Sequence, residues 1–385
     1  MKKTLFYIIF LFIAYSCKEK FNANIISPST GYLVVEGFIS SGQDPTTITL
    51  TRSVRLYDSV NIVPEQNAIV NIESETNQLF PLSETASGVY TSEILILNSN
   101  EKYRLQIKTQ DSKEYVSDFA IVKKTPDIDS ISWTRENGGV KIYVNTHDPQ
   151  NNTKYYRWDY AETWEFHSTY YSSLKYFFNQ SNVPIGVGFK SADHGIDTTI
   201  YKCWNTFSST NINLGSSEKL EADVIYLPLV YIEPASVKLS VLYSFDVRQY
   251  ALSHEAYLFY QKIKKNTEGI GSIFDAQPSE LKGNIHCVTD PAEIVIGFID
   301  ISEEKVKRIF ISNNELPGWG YKARCAAIII DNQPDSIIKY GIGVTPTIPF
   351  SFTGFGAVKE FYASPDVNCV DCTLTGSNIR PSFWP

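Results

Sequence analysis

Between residues 154 and 171 the chain reads KYYRWDYAETWEFHSTYY, and its side chains alternate with a period of two. Tyr156, Trp158, Tyr160, Trp164 and Phe166 share one parity, while Arg157, Asp159, Thr163, Glu165 and His167 share the other. Successive strand residues point to opposite faces of a sheet. The pattern therefore predicts one long strand, or a strand with a bulge, with an aromatic face and a polar face. Glu162 breaks the rule by falling on the aromatic side. A carboxylate there must be paired, hydrogen-bonded or at the strand's exposed end. We favour a satisfied partner, a Tyr hydroxyl or an arginine, over a raised pKa in a working site. Exposed Tyr and Trp stack on sugar rings or fill a partner's pocket. That makes Trp158, Tyr160, Trp164 and Glu162 the candidate ligand or partner contacts, with a core strand as the competing reading of the same aromatics.

Strand-like segments also fill the chain before this point: Leu33–Ile39, Thr47–Arg52, Ala68–Glu73, Val89–Thr91, Tyr103–Thr109 and Glu114–Phe119. The turn-rich stretches SGQDP, ETASG, NSNEK and TQDSK separate them. So many short strands in residues 31–124 predict an N-terminal β-sandwich of immunoglobulin-like or transthyretin-like type. Pro126 and its polar neighbours mark a boundary. Residues 126–385 then read as a larger β-rich α+β domain, and the whole chain as mainly β. The period changes once, at SHEAYLFYQKIKKNTEG: Ser253 caps a helix near 253–267, Ala256, Phe259, Tyr260 and Ile263 form its buried face, and Gly269 stops it. Strands resume at Glu293–Ile301 and Lys305–Ser312.

The N-terminus places the chain in the cell envelope. Lys2 and Lys3 precede the apolar run Leu5–Ala14, which is too short to span a bilayer, and Cys17 follows directly after Ser16. This is the layout of a lipoprotein signal, with residues 1–16 removed, Cys17 acylated and residues 17–30 forming a tether. Several acyl chains hold a protein on a membrane with no transmembrane helix. Removing residues 1–16 takes away two lysines and no acid, so a formal charge of -8 becomes -10. Such an acidic chain is a poor partner for nucleic acid. Five cysteines remain as disulfide candidates: Cys203, Cys287, Cys325, Cys369 and Cys372. Their number is odd, so at least one thiol stays free or pairs elsewhere, and the connectivity is open. Cys369 and Cys372 make only half of a zinc site. The tail NCVDCTLTGSNIRPSFWP reads as a covering segment stapled by cysteine.

No catalytic motif survives inspection. HEAYL begins like a zinc-protease helix but has Leu258 where the second histidine belongs. The G-x-G pairs at Gly186/Gly188, Gly341/Gly343 and Gly354/Gly356 do not open helices, as a dinucleotide site requires. Asp193, His194 and Asp197 are a polar turn before they are a cation site. The chain reads as non-enzymatic, with no cofactor and no metal.

The stretches YLVVEGFIS, YYRWDYAETWEF, LSHEAYLFYQKIKKNTEGIGSIFDAQPSELKGNIHC and CVDCTLTGSNIRPSFWP resemble a Bacteroidetes outer-membrane lipoprotein family of the DUF4249 type, defined by a domain of unknown function. The likeness runs from about Tyr32 to Trp384. It implies a lipid-anchored outer-membrane protein, in either leaflet, that captures ligand for a TonB-dependent receptor β-barrel or supports it. A glycan- or peptide-binding lipoprotein acting alone is the alternative. The family has no established catalytic residues to carry over.

Overall fold

The computed structural model describes residues 31–42, 44–54, 62–268 and 283–385. The leader, Cys17, the tether and Gly269 lie outside the described residues. What is described is mainly β, with one long helix.

The N-terminal layer begins at Leu33–Ser41, which pairs antiparallel with Thr47–Arg52. Hydrogen bonding then runs through Val89–Ser92, Leu79–Ala86, Ile69–Ser74, Lys102–Lys108 and Glu114–Ser117. These strands form a single path around one core that includes Leu33, Ile48, Ile72 and Leu105. Leu79–Ala86 is a strand that alternation does not announce, because only Leu82 in it is buried. Pairing on both sides holds it in place. Its neighbour ETASG shrinks to a turn at Ser87 and Gly88. Gly88 has φ +71, and a Cβ there would lie 2.7 Å from the Leu50 carbonyl oxygen, so only glycine fits.

This layer is not finished by its own residues. Ile285–Cys287 pairs with Glu114–Ser117, and Val295–Gly297 runs parallel to Leu33–Ser41. The two edges of the N-terminal sheet are thus covered by neighbouring strands of one downstream segment. Asn284 joins them, donating to the Ile299 carbonyl at 2.8 Å and accepting from the Ile299 amide at 2.9 Å. Ile285, Val295, Ile299 and Ile301 enter the same core. The chain therefore crosses back over the expected 124/126 boundary.

Ile301–Ser312 continues into a central sheet of order Lys202–Ser208, Tyr155–His167, Leu242–Ala251, Ile301–Ser312. The long strand alternates as its sequence requires: Tyr156, Trp158, Tyr160 and Glu162 are buried, their neighbours up to Ala161 only partly. A three-stranded sheet of Ile128–Glu136, Gly139–Asp148 and Asp223–Ile232 covers this aromatic face. Beyond Glu162 the opposite face is covered too, by the C-terminal tail. There the Trp384 indole donates to Glu165 Oε2 at 3.1 Å, and Arg308 sits 3.7 Å over the Phe383 ring.

Disulfides Cys203–Cys372 and Cys325–Cys369 staple this tail, and Cys287 is a buried free thiol in the N-terminal core. Among the described residues, Cys287 is thus the one cysteine outside a disulfide. A smaller unit packs the hairpin Leu174–Phe178/Pro184–Phe189 against the strands Ile328–Asp331, Thr345–Phe352 and Val358–Ser364 and the short helix Pro334–Tyr340. The long helix, His254–Glu268, starts where Ser253 Oγ accepts from the Ala256 amide at 3.1 Å. It buries Ala256, Phe259 and Tyr260 against Leu252 and Phe298.

Candidate ligand-binding site

The aromatic candidates on the long strand are packed. Trp158 is 0% exposed, and its indole N–H donates to Gln249 Oε1 at 2.8 Å. Gln249 in turn holds the Pro126 carbonyl and the Thr146 hydroxyl, so this indole organises the start of the second layer. Gly215 lies directly over the ring, where a Cβ would come within 2.7 Å of it. Tyr160 is buried against Phe245. Glu162, 1% exposed, accepts from Tyr243 Oη and from Lys238 Nζ, each at 2.7 Å. It is a satisfied carboxylate, held by the expected Tyr hydroxyl and by a lysine in place of an arginine. Trp164 is half-buried at the rim, with Lys238 5.2 Å over its ring. Asp193 and Asp197 serve loop partners: Asp193 accepts from the Gly195 amide, and Asp197 pairs with Lys190 at 3.0 Å.

The open side of the long strand is the polar one. Arg157 stands opposite Tyr250, and Asp159 opposite Arg248, in the pairing with Leu242–Ala251. Tyr250 in turn faces Glu304 on the next strand. The rows Arg157–Tyr250–Glu304 and Asp159–Arg248 make the floor of a cavity of about 550 Å³. One wall is the N-terminal strand from Val34 to Ser40, with Asp44. The other is the helix, through Phe259, Tyr260 and Ile263, with Phe298. Three separate parts of the chain thus meet around it, and the volume lies in the range of small-molecule sites.

The charges inside are tied to one another. Arg157 Nη2 donates to Asp159 Oδ2 at 3.0 Å, and its guanidinium lies 4.7 Å over the Tyr260 ring. Arg248 Nη1 reaches Asp44 at 2.9 Å and Glu304 at 2.8 Å, and Tyr250 Oη donates to Glu304 at 3.0 Å. Burial pushes the Glu304 carboxyl up, against the pull of Arg248. Burial also raises the Tyr250 hydroxyl, and the neighbouring Glu304 charge adds to the effect. Phe38 and Tyr250 pack with ring centroids 4.9 Å apart. The Ser40 hydroxyl, 5% exposed at the cavity wall, has no hydrogen-bond partner among the described residues.

A second depression of about 620 Å³ lies between residues 121–127 and the loop His147–Lys154. Its charges face water: Asp127, paired with Lys305 at 3.2 Å, has a side chain 87% exposed. The first cavity is the better candidate, because its polar groups are partly withdrawn from solvent and flanked by aromatic rings.

Sequence reasoning named Arg157 and Asp159 only as the polar parity and missed Asp44, Arg248, Tyr250 and Glu304. A signal was present in FDVRQY, where Asp246, Arg248 and Tyr250 repeat the polar alternation of the long strand. What sequence could not supply is the register that sets Asp159 opposite Arg248.

A family model described as "Domain of unknown function (DUF4249)" matches residues 18–308, a span that contains every cavity residue named above. No curated protein matches the chain. Among solved structures, a chain from one described as "Complete structure of manganese lipoxygenase of Gaeumannomyces graminis and partial structure of zonadhesin of Komagataella pastoris" is similar at 9% identity. The match covers 59% of this chain and 90% of that one, with a TM-score of 0.18. That likeness carries no argument about fold or activity.

Proposed function

The chain belongs to the DUF4249 family, and from that premise we propose a non-enzymatic, lipid-anchored outer-membrane protein that captures a small ligand for a TonB-dependent transporter. The observation that carries the reading is the cavity beneath the helix, where Arg157, Asp159, Arg248 and Glu304 converge with Phe38 and Tyr260. Carboxylates already held by arginines suit binding better than turnover, since a general base needs a free lone pair aimed at its proton. Anchoring through Cys17 and delivery to a barrel follow from the signal-like N-terminus and the family resemblance.

Affinity purification from gently solubilised outer membranes tests the transporter half: the account expects a co-purifying β-barrel receptor. Recovery of the lipoprotein alone, with ligand binding intact, would favour the stand-alone surface binder.

A further inference from the structure

The pairing inside the cavity restricts what it can hold. Arg157 is matched by Asp159, and Arg248 by Asp44 and Glu304, so at the floor neither sign of charge is left open; Glu36, exposed on the wall strand, is the lining carboxylate without an arginine. An anion would meet three carboxylates around the floor and a fourth, Glu36, on the wall, and a cation at the floor would meet two guanidinium groups. Either would have to part an existing pair and leave a half-buried charge without its partner, which is costly. A neutral hydroxyl avoids that cost, because it donates to a carboxylate and accepts from a guanidinium without separating them.

Unused hydrogen-bonding capacity points the same way. Both ion pairs of Arg248 run through Nη1, which leaves its Nε and Nη2 without a hydrogen-bond partner among the described residues. The buried Ser40 hydroxyl is unmatched at the wall. Buried polar groups are as a rule satisfied, so an orphan beside a cavity marks where a ligand's polar atom belongs. The Phe38, Tyr250 and Tyr260 rings supply flat apolar surface for the C–H face of a pyranose.

We infer that the cavity binds a neutral polyhydroxylated ligand, a mono- to trisaccharide, with its hydroxyls at Asp159, Arg248 and Ser40 and its ring face on the Phe38–Tyr250 pair. The inference rests on reading this cavity as the capture site, and the experiment separates the two.

Titration calorimetry on the full chain in detergent would use neutral di- and trisaccharides of glucose, mannose, galactose and xylose. The matching uronic-acid oligomers and short peptides serve as comparison probes. The expected result is binding of at least one neutral sugar, with the uronates weaker. Asp159→Asn should weaken binding roughly tenfold, the value of one hydrogen bond to a charged group. Ser40→Ala, which removes only an unpartnered hydroxyl, should weaken it by a smaller factor while leaving the melting temperature unchanged. Uronates or peptides that bind more tightly than sugars, and are lost on Asp159→Asn, would overturn the ligand class and keep the capture site. Sugar binding indifferent to both substitutions would overturn the placement. Failure of every probe would overturn both readings.

Discussion

Arg248 Nη1 donates to Asp44 Oδ2 at 2.9 Å across 204 residues of sequence, and this contact ties the N-terminal layer to the central sheet at the cavity. The same guanidinium holds Glu304, whose side chain is nearly inaccessible, whereas Asp44 is well solvated. The two pairs should therefore respond differently to mutation. Asp44→Asn is expected to cost less than about 1 kcal/mol, as exposed pairs do. Arg248→Met should cost about 2 kcal/mol, because it leaves the Glu304 carboxyl buried with only Tyr250 as a partner. Denaturant melts of the two variants check the order. Equal losses would mean that Glu304 gains nothing from the arginine.

Trp158 is the aromatic that a ligand-contact reading selects first, and the structure makes it a core residue. Trp158→Ala should destabilise the protein by about 3–5 kcal/mol, in the range for large core truncations. Trp164→Ala, at the rim beneath Lys238, should cost about 1 kcal/mol. Chemical denaturation followed by circular dichroism distinguishes them. A Trp158→Ala protein as stable as wild type would remove the indole from the core.

Much of the fold was legible from alternation alone. The long strand, its buried parity as far as Glu162, the helix from Ser253 and the satisfied Glu162 all follow from period and polarity. What escaped were relations between distant segments. Leu79–Ala86 lacks a buried face of its own, and the strand Val295–Gly297 is only three residues long. Its place beside Leu33–Ser41 depends on a return of the chain that no local pattern announces. The cavity escaped for the same reason: Arg157 and Asp159, Arg248 and Glu304 lie on three strands and become one site only through pairing register, and Asp44 joins them from the loop before Thr47–Arg52.

The downstream segment is locked to the N-terminal layer by Glu293, which accepts from Tyr115 Oη at 2.7 Å and pairs with Lys113 and, at 3.5 Å, with Arg52. Burial pushes this carboxyl up, but the bonds from Lys113 and Tyr115 outweigh it, and the net shift is downward. A lowered folded-state pKa gives stability that is present above the unfolded carboxyl value, about 4.3, and lost as pH falls through the folded one. Wild type should therefore lose more melting temperature below about pH 4.3 than Glu293→Gln does. Parallel acid profiles would contradict the lock.

The two disulfides close stretches of 169 and 44 residues and hold the tail over the central sheet. Each should contribute about 3–5 kcal/mol on loop-entropy grounds. Reduction under native conditions should expose the chain after Val370 to protease, seen as loss of a C-terminal fragment by mass spectrometry. Cys287 should resist alkylation until the N-terminal core opens. Rapid labelling of Cys287 in the folded protein would show that the core is breached.

The capture site is the claim on which the rest depends, and hydrogen exchange read by mass spectrometry tests it most directly. With a saturating neutral oligosaccharide, the account predicts slowed exchange in four places that line the cavity: Val34–Ser40, Arg157–Asp159, Arg248–Tyr250 and Phe259–Ile263. Protection confined to the outer three-stranded sheet or to the apolar strands of the C-terminal unit, with these four segments unchanged, would contradict it.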